Sequence, residues 1–276
     1  MTFATAPDGV RIRIHHLGGT GPPLVCVHAT GFHGRVWEPF VPRLRAHHSI
    51  VSLDQRGHGE SDKPADGYDW HRFGDDILAV VDELELEAPV GIGHSAGAAA
   101  LVFAETSRPG TFSRLVLMDP VTPQPDIGRF MASDENPMAS QARKRRAVWD
   151  SRDEMIERLR NGSPLAAWRE EFLRAYVTYG TGPRDDGKVE LMSPPEIEAQ
   201  IYQMGGRHDG WHRLESLRPP TLLLTGGDSP MWAAPLRDAA AARIPNVVAE
   251  TVEGGHFFPM ENPEHTVDAV LRFLDE

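Results

Sequence analysis

A hydroxyl nucleophile, an imidazole base and an orienting carboxylate together can transfer an acyl group, and this chain offers candidates for all three. Ser95 lies in Gly93-His94-Ser95-Ala96-Gly97, a G-x-S-x-G pattern. The apolar run Pro89 to Ile92 before it reads as a strand, and the alanine-rich run Ala98 to Ala104 after it reads as a helix. A serine on so sharp a strand-to-helix turn is held in strained backbone geometry. Its hydroxyl projects beyond the strand, above a helix N-terminus where negative charge is favoured. The flanking glycines leave room for the turn. The plain structural alternative is a glycine-rich turn with an N-capping serine, so the partners decide. His256 follows the strand-like run Val247 to Val252 and sits in Glu253-Gly254-Gly255-His256-Phe257-Phe258. Two aspartates, Asp119 and Asp228, each follow a predicted strand.

Five motifs fall in one order: Val25-Cys26-Val27-His28-Ala29-Thr30-Gly31-Phe32, Leu53-Asp54-Gln55-Arg56-Gly57-His58-Gly59-Glu60-Ser61, the Ser95 turn, Gly226-Gly227-Asp228 and Gly254-Gly255-His256. In these the chain resembles the α/β-hydrolase fold superfamily, of the lidded esterase, lactonase and C–C hydrolase type. The Ser, Asp, His order fits that resemblance. It implies Ser95 as nucleophile, His256 as general base and Asp228 as the orienting acid, because most relatives carry the acid after the strand that follows the cap. Asp119 is the alternative acid. The oxyanion hole is expected at the amides of Ala96 and Thr30. Relatives usually read His-Gly after that strand; here Ala29 stands in place of the glycine, and Phe32 is a further group that approaches the loop. The resemblance makes His28, Asp54, Arg56 and His58 a supporting scaffold and His94 a packing neighbour of Ser95. Haloalkane dehalogenases and epoxide hydrolases place aspartate at the nucleophile position, so Ser95 argues against both chemistries.

These groups need a scaffold. Strand-like and helix-like segments alternate, which predicts an α/β fold: a mostly parallel, eight-stranded type of sheet with helices on both faces. An N-terminal hairpin turns at Pro7-Asp8-Gly9. Helices are predicted over Trp37 to Arg45 and Arg72 to Leu86, and a last one at Pro263 with Asn262 as its cap. The alternation breaks between Thr122 and Arg213. Helical patterns appear there at Ser140 to Trp149, Arg152 to Arg160, Leu165 to Tyr179 and Pro195 to Met204, with no convincing strand. The expected organisation is a core of residues 1–121 and 214–276 with an inserted helical cap at 122–213. Large apolar groups of that cap, with Phe32, His94 and Phe257 nearby, make Trp149, Trp168 and Tyr176 candidate substrate contacts and favour an apolar substrate.

The chain has 276 residues, a net charge of −12 and one cysteine, Cys26. The acidity argues against nucleic acid and anionic membranes as partners. The basic run Arg143-Lys144-Arg145-Arg146 reads as a solvated face or a set of ion pairs. No secretory leader pattern or membrane-spanning run is seen, so a cytoplasmic location is expected. No metal and no cofactor are expected: His208 and His212 lack a third ligand, and no phosphate loop or dinucleotide fingerprint is present. The expected partner is a small apolar ester or lactone, with a homodimer left open. The expected activity is ester or lactone hydrolysis through an acyl-enzyme. C–C bond hydrolysis and acyl transfer or perhydrolysis on the same triad are the alternatives, and a non-catalytic small-molecule receptor is the competing class.

Overall fold

The computed structural model describes residues 1–132 and 136–275. Strands β1 (Thr2–Thr5), β2 (Arg11–Gly18), β3 (Pro23–Val27), β4 (Ser49–Leu53), β5 (Val90–His94) and β6 (Arg114–Met118) come first. A middle segment holds three short strands, β7 (Val148–Trp149), β8 (Thr181–Pro183) and β9 (Val189–Leu191). Strands β10 (Thr221–Gly226) and β11 (Val247–Val252) follow it. Eight strands form one sheet in the order β1-β2-β4-β3-β5-β6-β10-β11. The pairs β1/β2 and β2/β4 are antiparallel, and every other pair in the sheet is parallel.

The central strands are apolar on both faces because helices cover both. Their side chains alternate between two cores. Val25, Val27, Leu115 and Leu117 enter one, with Phe73, Ile77 and Leu101 from the covering helices. Leu24, Cys26, Val116 and Met118 enter the other, with Trp37, Phe40, Val267 and Phe273. Each fully buried aliphatic side chain of this kind contributes about 1.5–3 kcal/mol. Burial also pushes the Cys26 thiol pKa well up, so this cysteine is a core residue.

The helix Ala96–Ser107 that leaves Ser95 is buried from Ala96 through Glu105. It packs against the helix Trp70–Glu83, whose Asp69 caps it by accepting from the Arg72 amide. The two approach closely at Gly74, where a Cβ would stand 3.0 Å from the Ala104 nitrogen. These contacts seat the turn carrying Ser95 on rigid elements.

The middle segment departs from expectation in two places. The helix expected over Ser140 to Trp149 runs instead over Pro137–Arg143, capped by the Asn136 side chain, and the chain then extends into β7. The strands β7, β9 and β8 form a small antiparallel sheet where no strand was expected. They are two or three residues long, too short for alternation to register in sequence. The helices Arg152–Arg160 and Pro195–Met204 have their expected bounds, while Leu165 to Tyr179 is shortened to Glu170–Gly180. Residues 133–135 of the expected 122–213 cap lie outside the described residues. Among the described residues no helix is long and apolar enough to cross a membrane.

Candidate active site

Ser95 takes φ 55° and ψ −114°, a conformation that costs free energy and persists only where its surroundings enforce it. The enforcement is backbone. The Ser95 amide donates to the Met118 carbonyl at 2.8 Å, and the Val121 amide donates to the Ser95 carbonyl at 3.2 Å. The two flanking glycines have no room for a side chain. A Cβ on Gly97 would stand 2.2 Å from the Val27 carbonyl oxygen, and one on Gly93 would stand 2.6 Å from the Ala98 nitrogen.

The Ser95 hydroxyl lies 3.0 Å from His256 Nε2. His256 Nδ1 lies 2.9 Å from Asp119 Oδ2. With Nδ1–H donating to that carboxylate, Nε2 is left to accept from Ser95. The carboxylate on His256 is therefore that of Asp119 and not that of Asp228, a correction to the expected acid. Sheet order explains it: Asp119 ends β6, the neighbour of β5 that carries Ser95, whereas Asp228 lies past β10, one strand further away. Asp119 is fully buried at φ 43°. It accepts from the Gly226 amide at 3.1 Å and from Ser229 Oγ at 2.6 Å, so the Asp228 loop serves as its support. Asp228 itself is exposed, and its amide donates to the Gly254 carbonyl at 2.9 Å.

The loop after β3 is pinned by two buried histidines. His28 Nε2 accepts from the Gln55 amide at 3.0 Å, and His58 Nε2 accepts from the Gly31 amide at 2.9 Å. Burial depresses both imidazoles, His58 to about 4 and His28 well below its ordinary value, which keeps those nitrogens free to accept. Gly31 takes the loop's positive φ of 80°, and Ala29 takes none, which is why an alanine is tolerated where a glycine is usual. The Phe32 amide is bonded to the Ala29 carbonyl at 3.1 Å. Among the described residues the amides of Thr30 and Ala96 have no hydrogen-bond partner, which leaves both available to an oxyanion.

Asp54 accepts from the Gly34 amide at 2.6 Å and the Glu60 amide at 2.8 Å, while Arg56 is fully buried between Asp76 and Asp8. His15, Asp54 and Glu60 bring ligand-type atoms within 4.8 Å of one another. His15 Nε2 lies 3.1 Å from Asp54 without a hydrogen bond of good geometry, while Asp54 and Glu60 are taken up by loop amides and by Arg13. The trio reads as a loop clamp.

A cavity of about 460 Å³ opens over Ser95 and His256. Phe32, Tyr176 and Phe257 line it as expected. Trp149, Trp168 and His94 do not. Trp149 lies under the Arg146 guanidinium, and Trp168 packs edge-on behind Phe32 and Phe257. His94 is buried beneath His256 and lies 2.8 Å from its carbonyl oxygen. Burial and the neighbouring His256 push the His94 pKa down to about 3, so its neutral ring donates there.

Sequence reasoning missed Lys144, Arg145 and Glu198 in the lining. Of the basic run, Arg143 pairs with Glu196 and Arg146 with Glu154 at the surface, as expected of ion pairs. Arg145 instead reaches inward to Glu198. The available signal was Glu196 and Glu198 opposite the run, two residues apart at the start of one helix.

Comparison with known proteins gives the family. The model of the Alpha/beta hydrolase family matches residues 24–270. The chain is 26% identical over 263 residues to a 2-(acetamidomethylene)succinate hydrolase of Mesorhizobium japonicum, covering 93% of this chain and 89% of that one. It is 25% identical over 265 residues to an (E)-2-((N-methylformamido)methylene)succinate hydrolase of Acinetobacter baylyi, covering 93% and 92%. The crystal structure of E-2-(acetamidomethylene)succinate hydrolase superposes over 100% of both chains with a TM-score of 0.85 at 23% identity. A matched family model over most of the chain, together with this fold, makes the protein a hydrolase-type member of the Alpha/beta hydrolase family.

Proposed function

We propose that the protein is a serine hydrolase that cleaves a carboxylic ester or lactone of a small, largely apolar molecule. One observation carries this reading: Ser95 Oγ, His256 and Asp119 are hydrogen-bonded in series, with Ser95 and His256 facing the cavity. The relatives named as hydrolases support the hydrolytic part of this reading.

In the proposed cycle, the Ser95 hydroxyl proton passes to His256 Nε2 as Oγ bonds to the substrate carbonyl carbon. The carbonyl oxygen takes the negative charge and accepts from the Thr30 and Ala96 amides. Asp119 stabilises the imidazolium without taking its proton. His256 then protonates the leaving alkoxide as the C–O bond breaks, giving an acyl-enzyme and an alcohol. Water loses a proton to His256 and attacks the acyl carbon, and His256 returns that proton to Ser95 Oγ as the acyl C–O bond breaks, releasing the acid and free Ser95. The 122–213 segment acts as a cap, supplying Tyr176, Ile201 and Tyr202 to the cavity wall and limiting water.

The test is hydrolysis of short p-nitrophenyl esters by the wild type and Ser95→Ala. Multiple turnover lost in the variant is the expected result. Equal turnover in both proteins would sink the mechanism, and a single slow acylation would move the protein to a receptor role.

A further inference from the structure

We infer that the molecule bound over Ser95 carries a free carboxylate, held by Arg145 and Lys144; this deepens the ester or lactone reading and rests on it. Among the described residues, the charged groups lining the cavity apart from His256 are Lys144, Arg145 and Glu198. The protein carries a net charge of −12, yet the described lining of its candidate active-site cavity holds two cations against one anion.

The polar cluster is built. Arg145 Nη1 donates to Glu198, and Nη2 donates to the Tyr176 hydroxyl at 2.7 Å. The Tyr202 hydroxyl donates to the other Glu198 oxygen at 3.3 Å. Among the described residues Arg145 Nε donates to nothing, the side chain keeps 29% of its exposure, and Arg145 lines the cavity. Burial works against the Arg145 charge, but Tyr176 and Glu198 more than offset it and raise its pKa. The guanidinium is therefore a permanent cation with an unused Nε–H donor.

Its position matters as much as its charge. A Cβ on Gly31 would stand 3.2 Å from Arg145 Nη1 and 2.9 Å from Glu198 Oε1, so the ion pair lies against the loop that carries the Thr30 amide. A substrate with its carbonyl oxygen at Thr30 therefore has part of its body within reach of the guanidinium. Buried ion pairs contribute little to stability compared with apolar packing, so one kept in a mainly apolar wall suggests use on a ligand.

Lys144 adds the second cation. It caps the end of the helix Pro137–Arg143 and borders the same cavity, and among the described residues it has no ion-pair partner. Glu198 cancels one of the two positive charges. A monoanionic carboxylate leaves the site neutral and matches the planar donor edge of a guanidinium, whereas a phosphate dianion leaves it negative.

Calorimetric binding of monomethyl glutarate and dimethyl glutarate to the Ser95→Ala protein tests this. The acid should bind about tenfold or more tighter than the diester, the range expected of charge-assisted hydrogen bonds. The preference should shrink in Ser95→Ala/Lys144→Gln and Ser95→Ala/Arg145→Lys, and also at high salt. Equal affinity for the two, no binding of either, or a preference intact in both variants would overturn the inference. Consumption of the ester by Ser95→Ala protein would instead sink the nucleophile assignment and leave the carboxylate preference standing.

Discussion

Ser229 Oγ and His256 Nδ1 both donate to one oxygen of Asp119, Oδ2, at 2.6 Å and 2.9 Å. Ser229 is buried and touches neither the cavity nor the nucleophile. It holds the carboxylate in the plane that His256 needs. Ser229→Ala should lower kcat roughly tenfold, the worth of one hydrogen bond to a charged group, with little change in KM. A fall confined to KM, or no change, would show that Asp119 needs no such support.

The acid assignment separates two aspartates cleanly. Asp119→Asn should drop kcat by roughly 10⁴, the loss seen when a triad carboxylate becomes an amide. Asp228→Asn, on an exposed turn, should keep activity within a factor of about two. The reverse pattern in p-nitrophenyl acetate hydrolysis would return the role to Asp228.

The turn itself is a packing requirement. Gly97→Ala places a methyl against backbone at Val27, which cannot move like a flexible side chain, and should cost about 3 kcal/mol in urea unfolding. Gly227→Ala is the control, since its added Cβ meets nothing closer than 3.5 Å. Similar unfolding midpoints for the two variants would refute the steric account.

Buried neutral histidines give an acid limit to stability. Burial holds His58 at about 4, His94 at about 3 and His28 well below its ordinary value. In the unfolded chain each takes up its proton near pH 6.5, so the unfolded state binds more protons below that pH. Their contribution to stability is present above about pH 6.5 and is lost as pH falls toward about 4. Each costs on the order of 1 kcal/mol per pH unit in that window. Urea midpoints at several pH values should show net uptake of protons on unfolding near pH 5. PH-independent midpoints between pH 7 and pH 5 would contradict it.

The Ser95 turn, the His256 loop and the sheet were legible because each rests on local pattern: glycines at a tight turn, apolar runs, alternation. The acid was not, because Asp119 and Asp228 both follow strands, and only the lateral order β5-β6-β10-β11 puts one of them next to Ser95. Strand order is a non-local property. The cavity wall was legible in kind, with Phe32, Tyr176 and Phe257 in place, but not in charge. Arg145 looks like its neighbours Arg143 and Arg146 in sequence; it differs in pointing toward Glu198. Trp149 and Trp168 misled for the same reason, since aromatic content tells what a helix buries but not against what.

The reciprocal bonds Ser95 N to Met118 O and Val121 N to Ser95 O tie the ends of two adjacent parallel strands together. The proposed nucleophile and acid are thus registered by main chain in the centre of the sheet, where local opening is rarest. Heat should therefore not disarm the site before the sheet melts. If so, the temperature at which residual hydrolysis halves will coincide with the calorimetric midpoint of the whole molecule, and inactivation ahead of that midpoint would have to come from the roof over the cavity.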